Sequence, residues 1–467
     1  MEFINTTGNT VYLEDIDQSV FYYDGDVQYI DIDYVKKSKN FRRMIQLNKF
    51  ILKQLGNSLF EKNLIRLQES GKEMSISKKE KEEQIEVKST SDQIEVKLRG
   101  HMYEAGGYAK VNRNLAIGLS SLKVKVNIEA VSQAINDLNE LEIKQLNHVN
   151  CPVGRNAIII DSMVPTFSSQ GFGKYRILYT TIEANTIPQQ FVDIAKNYNE
   201  IWVTSNFCKD VLQKELPNKE ILILPDSVNT SLYTSEASPK EFRPAMNDFV
   251  FLSIFGWGYR KGYDLLLKSY LEEFNSNDPV SLLIFSRYQS RSKRSNIVQK
   301  TINEFIKKYG GKNPPHIARC NKVIPEYEMP SVYRAANAFI SCSRGEGFCL
   351  PLVEASLCGL PVISINHSGP TMFLNYENST LIEPDKLEKI RPGTMKIHYW
   401  DNQEFPSLTS QSVIDDTKKA MRNVYLNYQD AIDKNKILMS FLSKNYNIQT
   451  VATNAKKRLK EIWSKIC

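Results

Sequence analysis

Short apolar runs alternate with amphipathic segments along most of the chain, and this pattern predicts alternating strands and helices. The candidate buried strands of the first half lie at residues 94–98, 124–128, 157–160, 177–180, 201–204 and 221–224. Helical spacing separates several of these strands, as at 111–119, 189–196 and 208–214. Such alternation is typical of a parallel sheet that is covered by helices on both faces.

The alternation begins again after a polar loop at 234–247. Strands are predicted at 249–254, 281–285, 338–341 and 361–364, and helices at 263–274, 296–309 and 351–358. Two α/β units in tandem leave a cleft between them, and open α/β sheets bind ligands at the carboxyl ends of their strands. We therefore predict an α/β chain with two Rossmann-like domains facing a cleft, at 91–235 and 236–425, and C-terminal helices over 426–467 that pack back toward the first domain.

Residues 1–90 have a different pattern. Short β-branched and aromatic runs, separated by Asp and Gly turn signals, predict a small β-rich appended unit. Residues 75–92 consist mostly of Lys, Glu, Ser and Gln, which is typical of a linker with little to bury. Because this unit carries no plausible catalytic group, we expect it to supply localisation or partner contact. The alternative is that it packs against the first domain and completes its core.

Composition narrows the class of protein. The chain has 467 residues, of which 42% are apolar and 24% are charged, as in soluble globular proteins. Its 7 cysteines form no Cys-x-x-Cys pair, so neither a zinc site nor a disulfide framework is expected. The N-terminus lacks a signal-peptide pattern, and no apolar stretch approaches the ~20 residues that span a bilayer. We therefore expect a cytoplasmic protein.

Charge suggests one kind of partner. The net charge is +7, and basic residues cluster at 36–43 and 287–294. These clusters could hold the chain at an anionic membrane surface or polymer, and the alternative is that they are solvated surface. We expect no nucleic-acid partner, and the sequence leaves the oligomeric state open.

The densest group of functional candidates lies at 344–363. Pro351 suits the first turn of a helix, and Gly359 suits its end. This predicts that Glu346 lies on the loop before the helix and that Glu354 lies one turn inside it.

A helix N-terminus preceded by Gly347 offers free backbone N–H groups to an anion such as a diphosphate. Glu346 could accept hydrogen bonds from sugar hydroxyls, and Glu354 could hold a ribose. For Glu354, the alternative is that the carboxylate only stabilises the positive end of the helix.

Two further pairs of residues are candidates. Arg260 and Lys261 follow the first strand of the second unit, where cations could stabilise a leaving diphosphate. Gly106 and Gly107 could let the backbone of the first unit approach a ligand closely. The alternative for the two cations is a solvated turn. The alternative for the two glycines is an ordinary turn between a strand and a helix.

The string at 344–363 resembles the Glu-x(7)-Glu signature of family 4 GT-B glycosyltransferases. The resemblance extends from Gly100 to the C-terminus. It includes segments that look like the family's glycine-rich loop, Glu-x-x-x-x-Pro segment, Trp-Val-x-Ser segment and Lys-Gly turn, at 106–115, 183–188, 201–207 and 261–262.

The resemblance implies the GT-B fold and a retaining transferase. Such an enzyme moves a sugar from a nucleotide-sugar donor to a hydroxyl of a glycan, lipid or protein. The donor is a co-substrate, so no cofactor is expected, and no metal ion is expected either. The residues predicted for catalysis are Glu346, Lys261 and Arg260, of which the resemblance covers Glu346 and Lys261. Those that it assigns to substrate binding are Gly106, Gly107, Gly347, Phe348, Cys349, Leu350 and Glu354.

Some positions depart from the family's pattern. Cys349 stands where the family usually has Gly, which predicts a narrower donor pocket. Gly256 stands where an Arg is common, and Arg260 is the substitute that the sequence offers. The Cys349 change and a missing histidine of the first domain leave open the alternative of a catalytically silent GT-B subunit that binds a sugar or a partner glycosyltransferase.

Many family members also carry a first-domain His near the sugar. At that place this sequence has Asp161 and Ser162, with His101 and His148 as nearby alternatives.

Overall fold

The computed structural model describes residues 93–131, 137–165, 173–240, 249–286, 296–322, 324–392, 394 and 398–467. All of them belong to Ser89–Cys467, one of the two compact units into which the chain divides. The predicted β-rich N-terminal unit and both basic clusters lie outside the described residues.

The first domain is built on a parallel sheet. Its strands are β1 (Glu95–Gly100), β2 (Lys125–Ala130), β3 (Ile158–Ser162), β4 (Arg176–Thr180), β5 (Glu200–Val203) and β6 (Ile221–Ile223). They lie in the order β2-β1-β3-β4-β5-β6, and every pair is parallel. The helices are α1 (Gly107–Ser121), α2 (Glu140–Val149), α3 (Gln189–Lys196) and α4 (Asn206–Glu215).

The second domain repeats this plan. Its strands are β7 (Phe249–Ile254), β8 (Val280–Phe285), β9 (His316–Cys320), β10 (Ala338–Ser341), β11 (Val362–Ile365) and β12 (Thr380–Ile382). They lie in the order β12-β11-β10-β7-β8-β9 and are again all parallel. The helices are α5 (Tyr263–Glu273), α6 (Asn296–Tyr309), α7 (Met329–Arg334) and α8 (Leu350–Leu357).

These two six-stranded sheets confirm the predicted α/β class and the pair of Rossmann-like domains. The strand order reverses between β1 and β3 in the first sheet and between β7 and β10 in the second. At such a switch point the connections leave neighbouring strands in opposite directions, which opens a crevice at their carboxyl ends. The loops that follow β7 and β10 therefore meet at the natural ligand site of the second sheet.

A hairpin connects the second domain to the first. Its strands, β13 (Leu387–Lys389) and β14 (Glu404–Pro406), are antiparallel. Trp400 and Phe405 enter the same buried apolar cluster as Phe191 of α3. The hairpin therefore anchors the second domain in the apolar core of the first.

The chain ends in three helices, α9 (Gln411–Leu426), α10 (Tyr428–Asn445) and α11 (Ile448–Ile466). Helix α11 packs against α1 so closely that a Cβ at Gly118 would lie 2.6 Å from the Cβ of Ala452. Arg458 of α11 also pairs with the buried Glu200 at 2.6 Å. The C-terminal segment thus returns from the second domain to the first.

Candidate functional site

The three predicted catalytic residues meet at the switch point of the second sheet. Arg260 and Lys261 lie on the turn after β7, and Glu346 lies on the loop between β10 and α8. The Lys261 Nζ atom is 2.5 Å from Glu346 Oε1, and the Arg260 Nη1 atom is 3.3 Å from Glu346 Oε2. The fold therefore places two cations on one carboxylate, one at each of its oxygens.

The charge of Glu346 is fixed by this arrangement. Burial alone would raise the pKa of its carboxyl, but the adjacent Lys261 and Arg260 charges lower that pKa to about 2. Its backbone N–H also donates to the Ser368 hydroxyl at 3.0 Å. Glu346 is thus held as a carboxylate, with a defined orientation, throughout the neutral pH range.

Glu354 lies inside α8 and faces the first domain. Its Oε1 accepts a hydrogen bond from Lys110 Nζ at 2.6 Å, and its Oε2 accepts one from the Tyr333 hydroxyl at 2.7 Å. The same Lys110 Nζ is 2.9 Å from Glu326 Oε1 and donates to the Tyr233 hydroxyl at 2.6 Å. The contacts of Lys110 with Glu354 and Glu326 are made across the two domains, so Glu354 does more than stabilise the positive end of its helix.

A second contact between the domains forms at Arg260. Glu183 follows β4 of the first domain, and its Oε1 lies 2.8 Å from Arg260 Nη2. Burial raises the pKa of the Glu183 carboxyl, and the Arg260 and Lys261 charges oppose that rise. One guanidinium therefore bridges a carboxylate from each domain.

Two glycines allow this close approach. A Cβ at Gly347 would lie 1.3 Å from Thr181 Oγ1, and one at Gly345 would lie 1.8 Å from the carbonyl oxygen of Glu183. Any side chain at these positions would separate the loop of Glu346 from the first domain. The glycines of the signature therefore serve the packing between the domains, a role that the sequence did not predict.

The other predicted residues of the signature have different roles. Phe348 is 2% exposed, and its ring packs against those of Phe373 and Tyr446. Leu350 is also buried in the core. Their side chains support the loop, and only their backbone groups could contact a ligand.

Cys349 adopts the left-handed conformation, with φ of 76°. This backbone is the one that glycine adopts without a steric penalty, which accounts for the family's preference for glycine at this position. Burial raises the pKa of the Cys349 thiol to about 12, so the sulfur stays protonated.

Gly106 and Gly107 lie at the start of α1, and both are exposed. A Cβ at either position would meet nothing within 4 Å. The space beside them is therefore open among the described residues, and their close approach to a ligand stays a prediction.

The alternatives to the missing histidine make contacts within the first domain. Asp161 is completely buried and accepts hydrogen bonds from Arg176 at 3.1 Å and from the Tyr198 hydroxyl at 2.8 Å. His101 pairs with Glu104 at 3.0 Å, and His148 is exposed in the last turn of α2.

The part of the chain that the structure describes contains no group of three or more His, Cys, Asp or Glu arranged to hold a metal ion. Of the helices within the described ranges, none is long and apolar enough to cross a membrane.

Residues 247–392, which include both signature glutamates and both cations, match the family model described as Glycosyl transferases group 1. One component of the phosphatidylinositol N-acetylglucosaminyltransferase of Arabidopsis thaliana is 23% identical over 182 residues, which are 39% of this chain and 37% of that protein. The matched regions cover less than half of the length of the curated relatives.

Solved structures resemble the chain over most of its length. A sucrose-phosphate synthase from Thermosynechococcus elongatus has 13% identity and a TM-score of 0.58, covering 80% of this chain and 100% of its own. Anabaena HepE in complex with UDP-glucose has 11% identity and a TM-score of 0.54, covering 79% of this chain and 100% of its own. With the two parallel sheets, this similarity establishes the GT-B fold.

Proposed function

We propose that this chain is a glycosyltransferase that moves a sugar from a nucleotide-sugar donor to an acceptor hydroxyl. The observation that carries the proposal is the contact of Glu346 with Lys261 and Arg260 at the switch point of the second sheet. All three residues lie in the segment that matches the glycosyltransferase family model.

The chemistry of transfer needs the charge of the leaving diphosphate to be stabilised. Arg260 and Lys261 are cations at the carboxyl end of β7, where a bound diphosphate would lie. This arrangement supports a reaction in which these side chains, rather than a metal ion, balance the developing charge. The N–H groups at the start of α8 would add partial positive charge at the same place.

Glu346 would act on the sugar of the donor. A carboxylate accepts hydrogen bonds from hydroxyls, so it would orient the sugar while the bond to the diphosphate weakens. Glu354, further along α8, would accept a hydrogen bond from the ribose. Both roles rest on the position of these residues at the switch point.

We further propose that the sugar keeps its anomeric configuration. The acceptor oxygen would bond to the anomeric carbon on the face that the diphosphate leaves, and a departing phosphate oxygen would take the acceptor's proton. This route needs no nucleophile from the protein. The acceptor class stays open among glycans, lipids and proteins.

A screen of nucleotide-sugars tests the proposal. A donor that binds only the folded state raises the thermal unfolding midpoint, so we expect one of the UDP-, GDP- or ADP-sugars to do so. That donor should then release its nucleoside diphosphate in the presence of the protein. If none of these nucleotide-sugars raises the midpoint or is consumed, the proposed function is wrong.

A further inference from the structure

The first domain places an opposite charge against two of the four charged groups to which the proposed function assigns the donor. Lys110 contacts Glu354, the group proposed for the ribose. Glu183 contacts Arg260, a group proposed for the diphosphate. The first domain therefore presents a cation to the proposed ribose site and an anion to the proposed diphosphate site.

Lys110 is firmly held in this position. Its side chain is 12% exposed, and its ammonium contacts Glu354, Glu326 and the Tyr233 hydroxyl. Burial lowers the pKa of Lys110, but the nearby Glu354 and Glu326 carboxylates raise it by more, so the ammonium keeps its charge. A ribose hydroxyl that binds to Glu354 Oε1 has to share that oxygen with this ammonium or take its place.

Arg260 is held just as closely. Its Nη1 atom donates to the carbonyl of Gly345 at 2.6 Å and lies 3.3 Å from Glu346, while its Nη2 atom lies 2.8 Å from Glu183. The guanidinium fork is thus engaged on both nitrogens. A diphosphate that binds to Arg260 has to compete with the Glu183 carboxylate for it.

We propose that Lys110 and Glu183 are autoinhibitory contacts that compete with the donor for Glu354 and Arg260. This inference rests on the proposed function. Both contacts run from the first domain to the second. A single local separation of the two domains therefore breaks both contacts and admits the donor. The nucleotide then replaces the first domain as the partner of the second domain's charged groups.

If Lys110 and Glu183 compete with the donor, neutralising either of them strengthens nucleotide binding. A residue that only supports the fold would not have this effect. When Lys110 or Glu183 loses its charge, Glu354 or Arg260 loses a partner that the donor has to displace. Folding stability decreases because a buried charge loses a partner of opposite sign, but the nucleotide binds more tightly. A residue that binds the nucleotide itself, or that only supports the fold, would weaken binding or leave it unchanged when it is neutralised.

The test is calorimetric titration of the full-length protein with UDP, GDP and ADP. We expect Lys110→Met and Glu183→Gln each to lower the Kd of the preferred nucleotide by about fivefold or more, the lower range of allosteric coupling. Lys125→Met is the matched control, because Lys125 pairs with Glu95 at 3.0 Å within the first domain. Its Kd should equal that of the unsubstituted protein.

The outcomes separate the two proposals. If neither the unsubstituted protein nor either variant binds any of the three nucleotides, the proposed function fails and the inference fails with it. If the unsubstituted protein binds one and neither variant binds more tightly, only the inference is overturned. Thermal unfolding shows which variants are folded, and Glu183→Gln alone decides the matter if Lys110→Met does not fold.

Discussion

Among single residues, Glu346 has the most closely defined surroundings at the candidate site. Lys261 and Arg260 hold its two oxygens, Ser368 fixes its backbone, and the first domain covers its loop. A carboxylate with two cations is stable in a buried site because each charge is balanced by a neighbour of opposite sign.

Glu346→Gln tests the role of this carboxylate. The amide keeps the shape of the side chain but loses the charge, so we expect turnover of the donor to fall by about 100-fold or more while the fold remains. Steady-state nucleotide release measures the rate, and circular dichroism checks the fold. Glu129→Gln is the control, because the Glu129 side chain is 44% exposed and pairs with the first-domain cations Lys97 and Arg99. Equal rates for the two variants would remove Glu346 from the mechanism.

Cys349 offers a second test at this scale. A side chain in the left-handed conformation costs about 1–2 kcal/mol, and a glycine costs about 0.4–1 kcal/mol through the entropy of the unfolded chain. Cys349→Gly should therefore change the free energy of unfolding by no more than about 1.6 kcal/mol and preserve turnover. Cys349→Val should be clearly less stable, because a β-branched residue fits this backbone poorly. Equal stability of the two variants in urea would contradict a left-handed backbone at this residue.

The sequence predicted one half of the site and missed the other. Glu346 and Glu354 were found because the helix signals around them, Pro351 and Gly359, are local. Lys110 was missed because the predicted helix began at 111, whereas α1 begins at Gly107 and places Lys110 in its first turn. Its partner Glu354 lies 244 positions away in the sequence, and no local pattern indicates such a contact.

At the level of whole elements, burial explains which strands the pattern found. Residues of β3 and β8 are buried throughout, and their continuous apolar runs were predicted. Strand β9 is only half-buried at the edge of its sheet and has the mixed sequence His-Ile-Ala-Arg-Cys, so it was missed. Helix α2 was also missed, although its capping box of Asn139 and Glu142 is a signal that the sequence does contain.

The hairpin that joins the domains gives a prediction at this scale. Trp400 is 2% exposed, and its ring lies 6.1 Å from that of Phe191 and 5.9 Å from that of Phe405. Trp400→Ala should lower the free energy of unfolding by about 3–5 kcal/mol, because a large cavity remains in the apolar cluster. Leu426→Ala, at a side chain that is 67% exposed, should change it by less than about 0.5 kcal/mol. Urea unfolding measures both, and similar values would show that the hairpin is not anchored.

For the molecule as a whole, two sheets of the same plan place their switch points so that charged groups of both domains meet. The second domain contributes Glu346, Glu354 and the two cations, and the first contributes Lys110 and Glu183. The proposed chemistry therefore depends on the relation between the domains as much as on either one. A transfer reaction suits this arrangement, because one domain can hold the donor while the other brings the acceptor.

The central claim is that this chain transfers sugar from a nucleotide-sugar and that Arg260 and Lys261 stabilise the leaving diphosphate. The most direct measurement is the release of nucleoside diphosphate from the donor that the screen identifies, by the full-length protein in excess EDTA. We predict sustained turnover in EDTA, and a loss of about 100-fold or more when Arg260 and Lys261 are both changed to Ala. Turnover that stops in EDTA and returns with manganese or magnesium, or that survives the double substitution, would contradict the claim.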